Sequence, residues 1–136
     1  MRWFQRTGRE ARDAADARSL RDIEAAKRIR EICASAGPDA EMVAGGRTDN
    51  AETASNAGTA SETERYRAAK KSALELALQI SDDSVRDVSV WQILDLCVKA
   101  NDLTTARILL RGIQSEQIRA ELAADNPALL DQGGAG

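Results

Sequence analysis

The residues best suited to acid–base or nucleophilic chemistry are two adjacent aspartates and two cysteines. Asp82 and Asp83 could act as a general acid and base, but adjacent carboxylates in a turn before a helix are more often caps. Cys33 and Cys97 lie far apart and lack the CxxC spacing of a zinc or redox site. The chain contains no histidine, which excludes Ser-His-Asp and Cys-His nucleophiles and most zinc catalysis. We therefore expect a protein that is not an enzyme and that needs no metal or cofactor.

Two arginines offer binding chemistry instead of catalysis. Arg86 and Arg119 are separated by 33 residues, and each follows a predicted turn. One interpretation is that each guanidinium ties its helix to the neighbouring turn; the other is that both project from one face and bind a carboxylate of a partner. Further candidates for partner binding are apolar residues of the N-terminal region: Trp3 and Phe4 in the exposed cluster at its start, and Leu20 and Ile23 on the thin apolar stripe of its predicted helix.

Composition narrows the class of protein. The net charge of the 136 residues is only -3, but the basic residues concentrate in residues 1–36, where acids are interleaved with them. A dedicated nucleic-acid interface would show a cleaner basic face, so we do not expect nucleic acid as the partner. No run approaches the roughly 18 apolar residues of a membrane helix, and the N-terminus lacks the apolar segment of a signal peptide. Two free thiols fit a reducing compartment, so we expect a soluble, cytoplasmic protein without membrane partners.

Four segments differ in composition. Residues 1–36 form a basic N-terminal arm, helical over residues 9–35, which Gly37-Pro38 is predicted to end. Residues 37–61 contain almost no large apolar side chain and are predicted to be a flexible linker. Residues 62–130 carry the larger apolar residues and form the helical domain, and residues 131–136 form a disordered tail.

Helix signals divide the domain into successive helices. Ser61 and Glu64 have the spacing of a capping box, as do Ser84 and Asp87. Residues 85–100 predict a central, mostly buried helix; a strand is the alternative, because residues 88–93 alternate. Asp102 and Ser115 are predicted to cap the third and fourth helices, and a final apolar pair at residues 129–130 is predicted to fold back onto them.

A 33-residue offset relates the two halves of this domain. It pairs Ala73 with Ala106, Ile80 with Ile113, and the two arginines with each other. The stretch "WQILDLCVKANDLTTARILLRGI" resembles a tetratricopeptide-like helical-hairpin repeat, and the resemblance covers residues 65–125. It implies a stack of hairpins in which the first copy lacks its leading helix. We expect an all-α fold, either a small solenoid-like hairpin stack or a four-helix bundle, with an additional N-terminal helix and a flexible linker.

These observations favour a non-catalytic protein–protein interaction module, an adaptor or a regulatory subunit, with an N-terminal docking helix. Its partner is expected to be a protein, with self-association as an open alternative. A nucleic-acid-associated regulatory protein that binds through its basic arm is the second hypothesis.

Overall fold

Every regular element in the described residues is a helix, so the all-α prediction is confirmed. The computed structural model describes the backbone of residues 2–48 and 55–130, and the side chains of residues 17–45 and 61–130. The helices are α1 (Arg2–Thr48), α2 (Ser55–Gln79), α3 (Asp83–Lys99), α4 (Leu103–Gly112) and α5 (Glu116–Asp125). A single helical turn at residues 128–130 follows α5.

The predicted end of the first helix at Gly37-Pro38 is wrong. Helix α1 continues through Pro38 to Thr48, although proline removes a backbone hydrogen bond and costs about 3 kcal/mol inside a helix. Packing on both sides of the proline outweighs this cost, because Ala36, Ala40 and Val43 are all buried. On the solvent side, an ion pair of 3.1 Å joins Arg65 of α2 to Asp39.

Residues 37–48 and 55–61, which were predicted to be linker, are therefore helical. Residues 49–54 and the predicted tail at 131–136 lie outside the described residues. The division of the chain into an arm at 1–36 and a separate domain at 62–130 stays a prediction.

Helix α3 lies at the centre of the packing and contacts α1, α2 and α4. It is a helix, as predicted from its 3.6-residue period, and Ile93, Leu94 and Cys97 on it are fully buried. Ser89 is a polar residue of this helix, yet its side chain is buried too. A serine hydroxyl is small enough to be enclosed between packed helices.

Helix α1 packs along α2 and α3, and small side chains allow this close approach. Ala25 and Ile29 of α1 are buried, as are Ala73 and Ala77 of α2. Burial of apolar surface contributes roughly 25 cal/mol per Å², so the large, fully enclosed side chains dominate the stability of the core. The largest of them are Ile29, Ile80, Ile93, Leu94, Ile113 and Leu122.

Side-chain caps begin the three C-terminal helices. Asp82 accepts a hydrogen bond from the Val85 amide at 2.9 Å, and Ser115 accepts one from the Ile118 amide at 3.2 Å. Asp102 caps α4, as predicted, after Asn101 adopts a left-handed conformation with φ of 59°. The predicted cap at Ser84 is wrong, because the cap is Asp82 and α3 begins at Asp83, two residues earlier than predicted.

The predicted cap at Ser61 is also wrong. Helix α2 begins at Ser55, so Ser61 lies inside the helix, where its hydroxyl accepts a hydrogen bond from Arg65 at 3.0 Å. At the other end of the chain, Leu129 folds back into the core as predicted, whereas Leu130 is exposed.

Candidate interaction site

A buried carboxylate and an arginine join α1, the α2–α3 loop and α3 in what we call the first junction. Asp22 of α1 accepts hydrogen bonds from the backbone amides of Ser81 at 3.0 Å and Asp82 at 3.1 Å. The amide of Ser81 is the main cause of the lowered pKa of the Asp22 carboxyl, and it outweighs the opposing effect of burial. Arg86 of α3 donates to the Ile80 carbonyl at 3.0 Å, and so holds the C-terminal end of α2.

The same arrangement recurs in a second junction between α3, the α4–α5 loop and α5. Asp87 accepts hydrogen bonds from the amides of Gln114 and Ser115, both at 3.0 Å. Arg119 of α5 donates to the Ile113 carbonyl at 2.7 Å. The loop residues and the arginine lie 33 positions after their counterparts in the first junction, which is the offset found in the sequence.

The two junctions show what the arginines do within the chain. The guanidinium groups of Arg86 and Arg119 hold the ends of preceding helices, which confirms the interpretation that each ties its helix to a turn. Arg86 also pairs with Asp83 in the first turn of α3. The prediction that these two arginines bind a partner stays a prediction.

The two junctions relate α1 to α3. Asp22 lies on α1 in the role that Asp87 has on α3, since each accepts hydrogen bonds from two consecutive loop amides. This relation was invisible at a 33-residue offset, because these two aspartates are 65 positions apart in the sequence.

A polar cluster at the start of α4 has the residue types of a catalytic site. The Tyr66 hydroxyl donates to Asp102 Oδ2 at 2.7 Å, and Lys70 Nζ lies 2.8 Å from the same oxygen. Burial opposes the charge on Asp102, but hydrogen bonds led by Lys70 outweigh it and lower the pKa to about 2. Burial raises the pKa of the Tyr66 hydroxyl, so that group stays protonated. An aspartate that caps a helix and a tyrosine held neutral are structural groups, and their arrangement braces α2 against α4.

The two thiols are held in their unreactive form. Burial is the main cause that raises the pKa of both Cys33 and Cys97 to about 11. The thiolate is the nucleophile, so neither side chain is activated for chemistry at neutral pH. Among the side chains that the structure describes, no three histidine, cysteine or acidic groups converge to hold a metal ion.

The candidate site is a groove between α1 and α3. One part encloses about 500 Å³, and an adjacent part encloses about 390 Å³. Arg30, Val88 and Gln92 line both parts, so the two are continuous; this surface is called the α1–α3 groove below. Its wall combines apolar side chains, including Val88 at 46% exposure and the half-buried Trp91, with a few polar groups. Such a mixture is typical of binding surfaces.

Two polar groups in the α1–α3 groove are left without partners. Gln92 Oε1 is buried and accepts no hydrogen bond. The Arg30 guanidinium has no hydrogen bond or ion pair within the described part of the chain. Farther along the groove, Lys99 and Asp95 form a loose pair at 3.8 Å. Buried acceptors are normally satisfied, and Gln92 Oε1 has almost no accessible surface, so a ligand donor reaches it only if the Gln92 side chain turns towards the groove.

The residues predicted to bind a partner fall in different places. Trp3 and Phe4 belong to the part of α1 whose side chains lie outside the described residues. Leu20 and Ile23 are exposed, at 62% and 58%, and Ile23 lines the smaller part of the α1–α3 groove.

Sequence reasoning missed three residues of the groove: Arg30, Val88 and Gln92. The only signal available was that Val88 lies in an apolar run, and this run was assigned to the core. Which side of α3 remains uncovered depends on the position of α1, and the sequence pattern did not give that position.

No helix of the described chain is both long and apolar enough to span a membrane.

Comparisons with known proteins identify no relative. No protein-family model, curated protein or solved structure matches the chain. The resemblance of residues 65–125 to tetratricopeptide-like repeats therefore stays a prediction.

Proposed function

We propose that the protein is a non-catalytic protein–protein interaction module, an adaptor or regulatory subunit, whose α1–α3 groove binds a peptide segment of a partner protein. One observation carries the proposal: an exposed apolar residue, Val88, lines this groove together with an unpaired arginine, Arg30, and with Gln92, whose buried Oε1 accepts no hydrogen bond within the described residues. These are three contacts that a peptide can make and that the chain itself leaves unmade.

A solenoid-like stack of helical hairpins is the architecture that we propose for this module. Two junctions with the same hydrogen bonds support it, and so does the packing of each helix against its neighbours in the sequence, with α1 also against α3. In this arrangement α1, α3 and α5 are the equivalent first helices. A groove between successive first helices would repeat along the stack, as it does in helical-repeat proteins that bind peptides.

The polar groups indicate the chemistry of the peptide. Arg30 would pair with a carboxylate, and Gln92 Oε1 would accept a backbone N–H of the peptide once its side chain turns towards the groove. An apolar side chain next to that carboxylate would cover Val88 and the exposed edge of Trp91. The preferred peptide therefore carries an acidic residue beside an aliphatic or aromatic one.

Affinity capture with three forms of the full-length chain tests this function. Val88→Asp places a charge in the groove, whereas Leu78→Asp places the same charge on a side chain of α2 that is 83% exposed. We expect one protein partner to be recovered by the unchanged chain and by Leu78→Asp, but not by Val88→Asp. Circular dichroism checks that both variants are folded.

Peptides from that partner then give a quantitative test. Arg30→Glu should weaken binding of the acidic peptide at least about tenfold, the scale of one lost charge-assisted contact. Recovery of the partner by all three forms of the chain would exclude the groove as the binding surface.

The second candidate is a nucleic-acid-associated protein, and the charge of α1 favours it. Between residues 17 and 31 the exposed basic side chains outnumber the exposed acidic ones: Arg18, Arg21, Lys27, Arg28 and Arg30 against Glu24 and Glu31. Binding through this surface would weaken steeply as salt increases. A gel-shift titration from low to physiological salt measures that slope, and binding without salt dependence would argue against this function.

A further inference from the structure

An arginine–aspartate pair occurs in α1 and again in α3. Asp22 and Asp87 have equivalent roles, since each accepts hydrogen bonds from two consecutive amides of the loop that ends the next helix. When the sequence is aligned so that Asp22 matches Asp87, Arg21 matches Arg86. The same comparison matches Leu20 with Val85.

In α3 these matched positions hold the preceding helix. Arg86 donates to the carbonyl of Ile80, the buried residue where α2 ends, and Val85 packs against the core. In α5 the arrangement is repeated by Arg119, which donates to the buried Ile113 at the end of α4. In both cases an arginine, preceded by an aliphatic residue, holds the C-terminal end of the preceding helix.

In α1 no helix end lies against the matched side chains within the described residues. Leu20 is 62% exposed, and Arg21 is exposed without a hydrogen bond or ion pair within the described residues. Helix α1 runs unbroken from Arg2 past Arg21, so no loop of this chain precedes Arg21 in the way that residues 80–82 precede Arg86. The residues Leu20 and Arg21 are called the α1 edge below.

We propose that the α1 edge binds the C-terminal end of a helix from a different protein. Arg21 would donate to a carbonyl of the last turn, which has no partner inside its own helix and carries partial negative charge. Leu20 would pack against a large aliphatic side chain at that helix end, as Val85 and Ile118 pack in the two internal cases. The occupant is therefore a helix that ends in an isoleucine-like residue.

A second copy of this chain does not supply such a helix end within the described residues. The ends of α2 and α4 are already held by Arg86 and Arg119, and α5 ends in polar residues whose Asn126 side chain donates to the Leu122 carbonyl at 3.0 Å. Helices α1 and α3 end at Thr48 and Lys99, which are not large aliphatic residues. The surface also lies apart from the three contacts that carry the proposed function, so the two proposals can fail separately.

A synthetic copy of α4 is a suitable probe, because the chain already binds that helix end internally. The probe is an acetylated and amidated peptide of residues 103–115, with a side-chain cross-link that replaces Thr104 and Ile108. Both positions are exposed in α4, so the cross-link stabilises the helix without touching the face that would bind. The probe is titrated into the ¹⁵N-labelled full-length chain and followed by NMR.

We expect the amide shifts to concentrate at residues 17–24, with a dissociation constant in the millimolar range, as suits a small contact. Arg21→Ala and Leu20→Ser should each raise the dissociation constant at least about fivefold. Arg67→Ala, at an exposed arginine of α2, is the matched control and should leave the dissociation constant unchanged, as should Val88→Asp in the groove.

Several results would overturn the proposal. They are the absence of shifts at millimolar probe, shifts centred on α3 and α5 where the native α4 is held, equal binding to the Arg21→Ala variant, and equal binding of a probe carrying Ile113→Asp. Dimerisation of the chain alone that depends on Arg21, measured by analytical ultracentrifugation, would assign the surface to a second copy and refute a different protein as the occupant.

Discussion

Removing the Asp87 carboxylate tests whether the junctions hold the helices together. Asp87 is 3% exposed, and its two oxygens accept the amides of Gln114 and Ser115 at 3.0 Å each. Asp87→Ala leaves both amides without their acceptor in a partly buried loop. It also removes the connection between α3 and the first turn of α5.

The magnitude follows from these two hydrogen bonds. A hydrogen bond to a charged group contributes about 1.5–3 kcal/mol, and part of this is recovered when water reaches the loop. We therefore expect Asp87→Ala to lower the free energy of unfolding by about 3 kcal/mol. That corresponds to a fall in Tm of roughly 10 °C for a chain of this size. Asp87→Asn keeps one acceptor oxygen and should lose about half as much.

Urea denaturation followed by circular dichroism at 222 nm measures the change. Asp95→Ala is the matched control on the same helix, because Asp95 is exposed and forms only the loose 3.8 Å pair with Lys99. Its loss should cost less than about 0.5 kcal/mol. If Asp87→Ala and Asp95→Ala had equal free energies of unfolding, the junction would contribute little to stability, and the expected loss for Asp87→Ala would be refuted.

Three further predictions concern stability and reactivity. Arg119→Ala should lower the free energy of unfolding by about 1–2 kcal/mol, because the Ile113 carbonyl loses a charged donor; Arg67→Ala should leave urea denaturation unchanged. The folded-state pKa of Asp102 lies below its unfolded value, so its contribution of about 1 kcal/mol, after allowance for solvent screening, is present above pH 4 and is lost as the pH falls towards 2. Asp102→Asn should flatten that part of the stability curve, and an unchanged acid limb would contradict the assignment. Cys33 has a pKa of about 11, so its modification by a disulfide reagent should be slow at pH 7 and accelerate about tenfold per pH unit up to pH 9; a rate at pH 7 equal to that of free cysteine would contradict this.

Local features were predictable because a few neighbouring residues decide them. Asp102 and Ser115 cap their helices through amides three residues later, and such a cap needs nothing from the rest of the chain. The helical period of residues 85–100 correctly outweighed their strand-like alternation. The brace role of Arg119 could also be anticipated, because the 33-residue offset gave the arginine and its loop together.

Features that depend on distant partners were not predictable in the same way. The first helix was predicted to end at Gly37-Pro38, because nothing local indicates that Ala36, Ala40 and Val43 around the proline would be buried. Asp87 was assigned to a cap, whereas it accepts amides 27 and 28 residues away. The unsatisfied Gln92 in the candidate groove follows only from the placement of α1 beside α3.

The sequence by itself determined an all-α protein with a repeated unit, because helix propensity, caps and apolar period are local and agree with one another. Tertiary structure decided which surfaces remain free. The equivalent residues Arg21 and Arg86 have the same chemistry, yet Arg86 holds the end of α2 and Arg21 faces solvent. The physical reason is that such an arginine is occupied only if a helix end packs against it. That packing depends on contacts between residues far apart in the sequence.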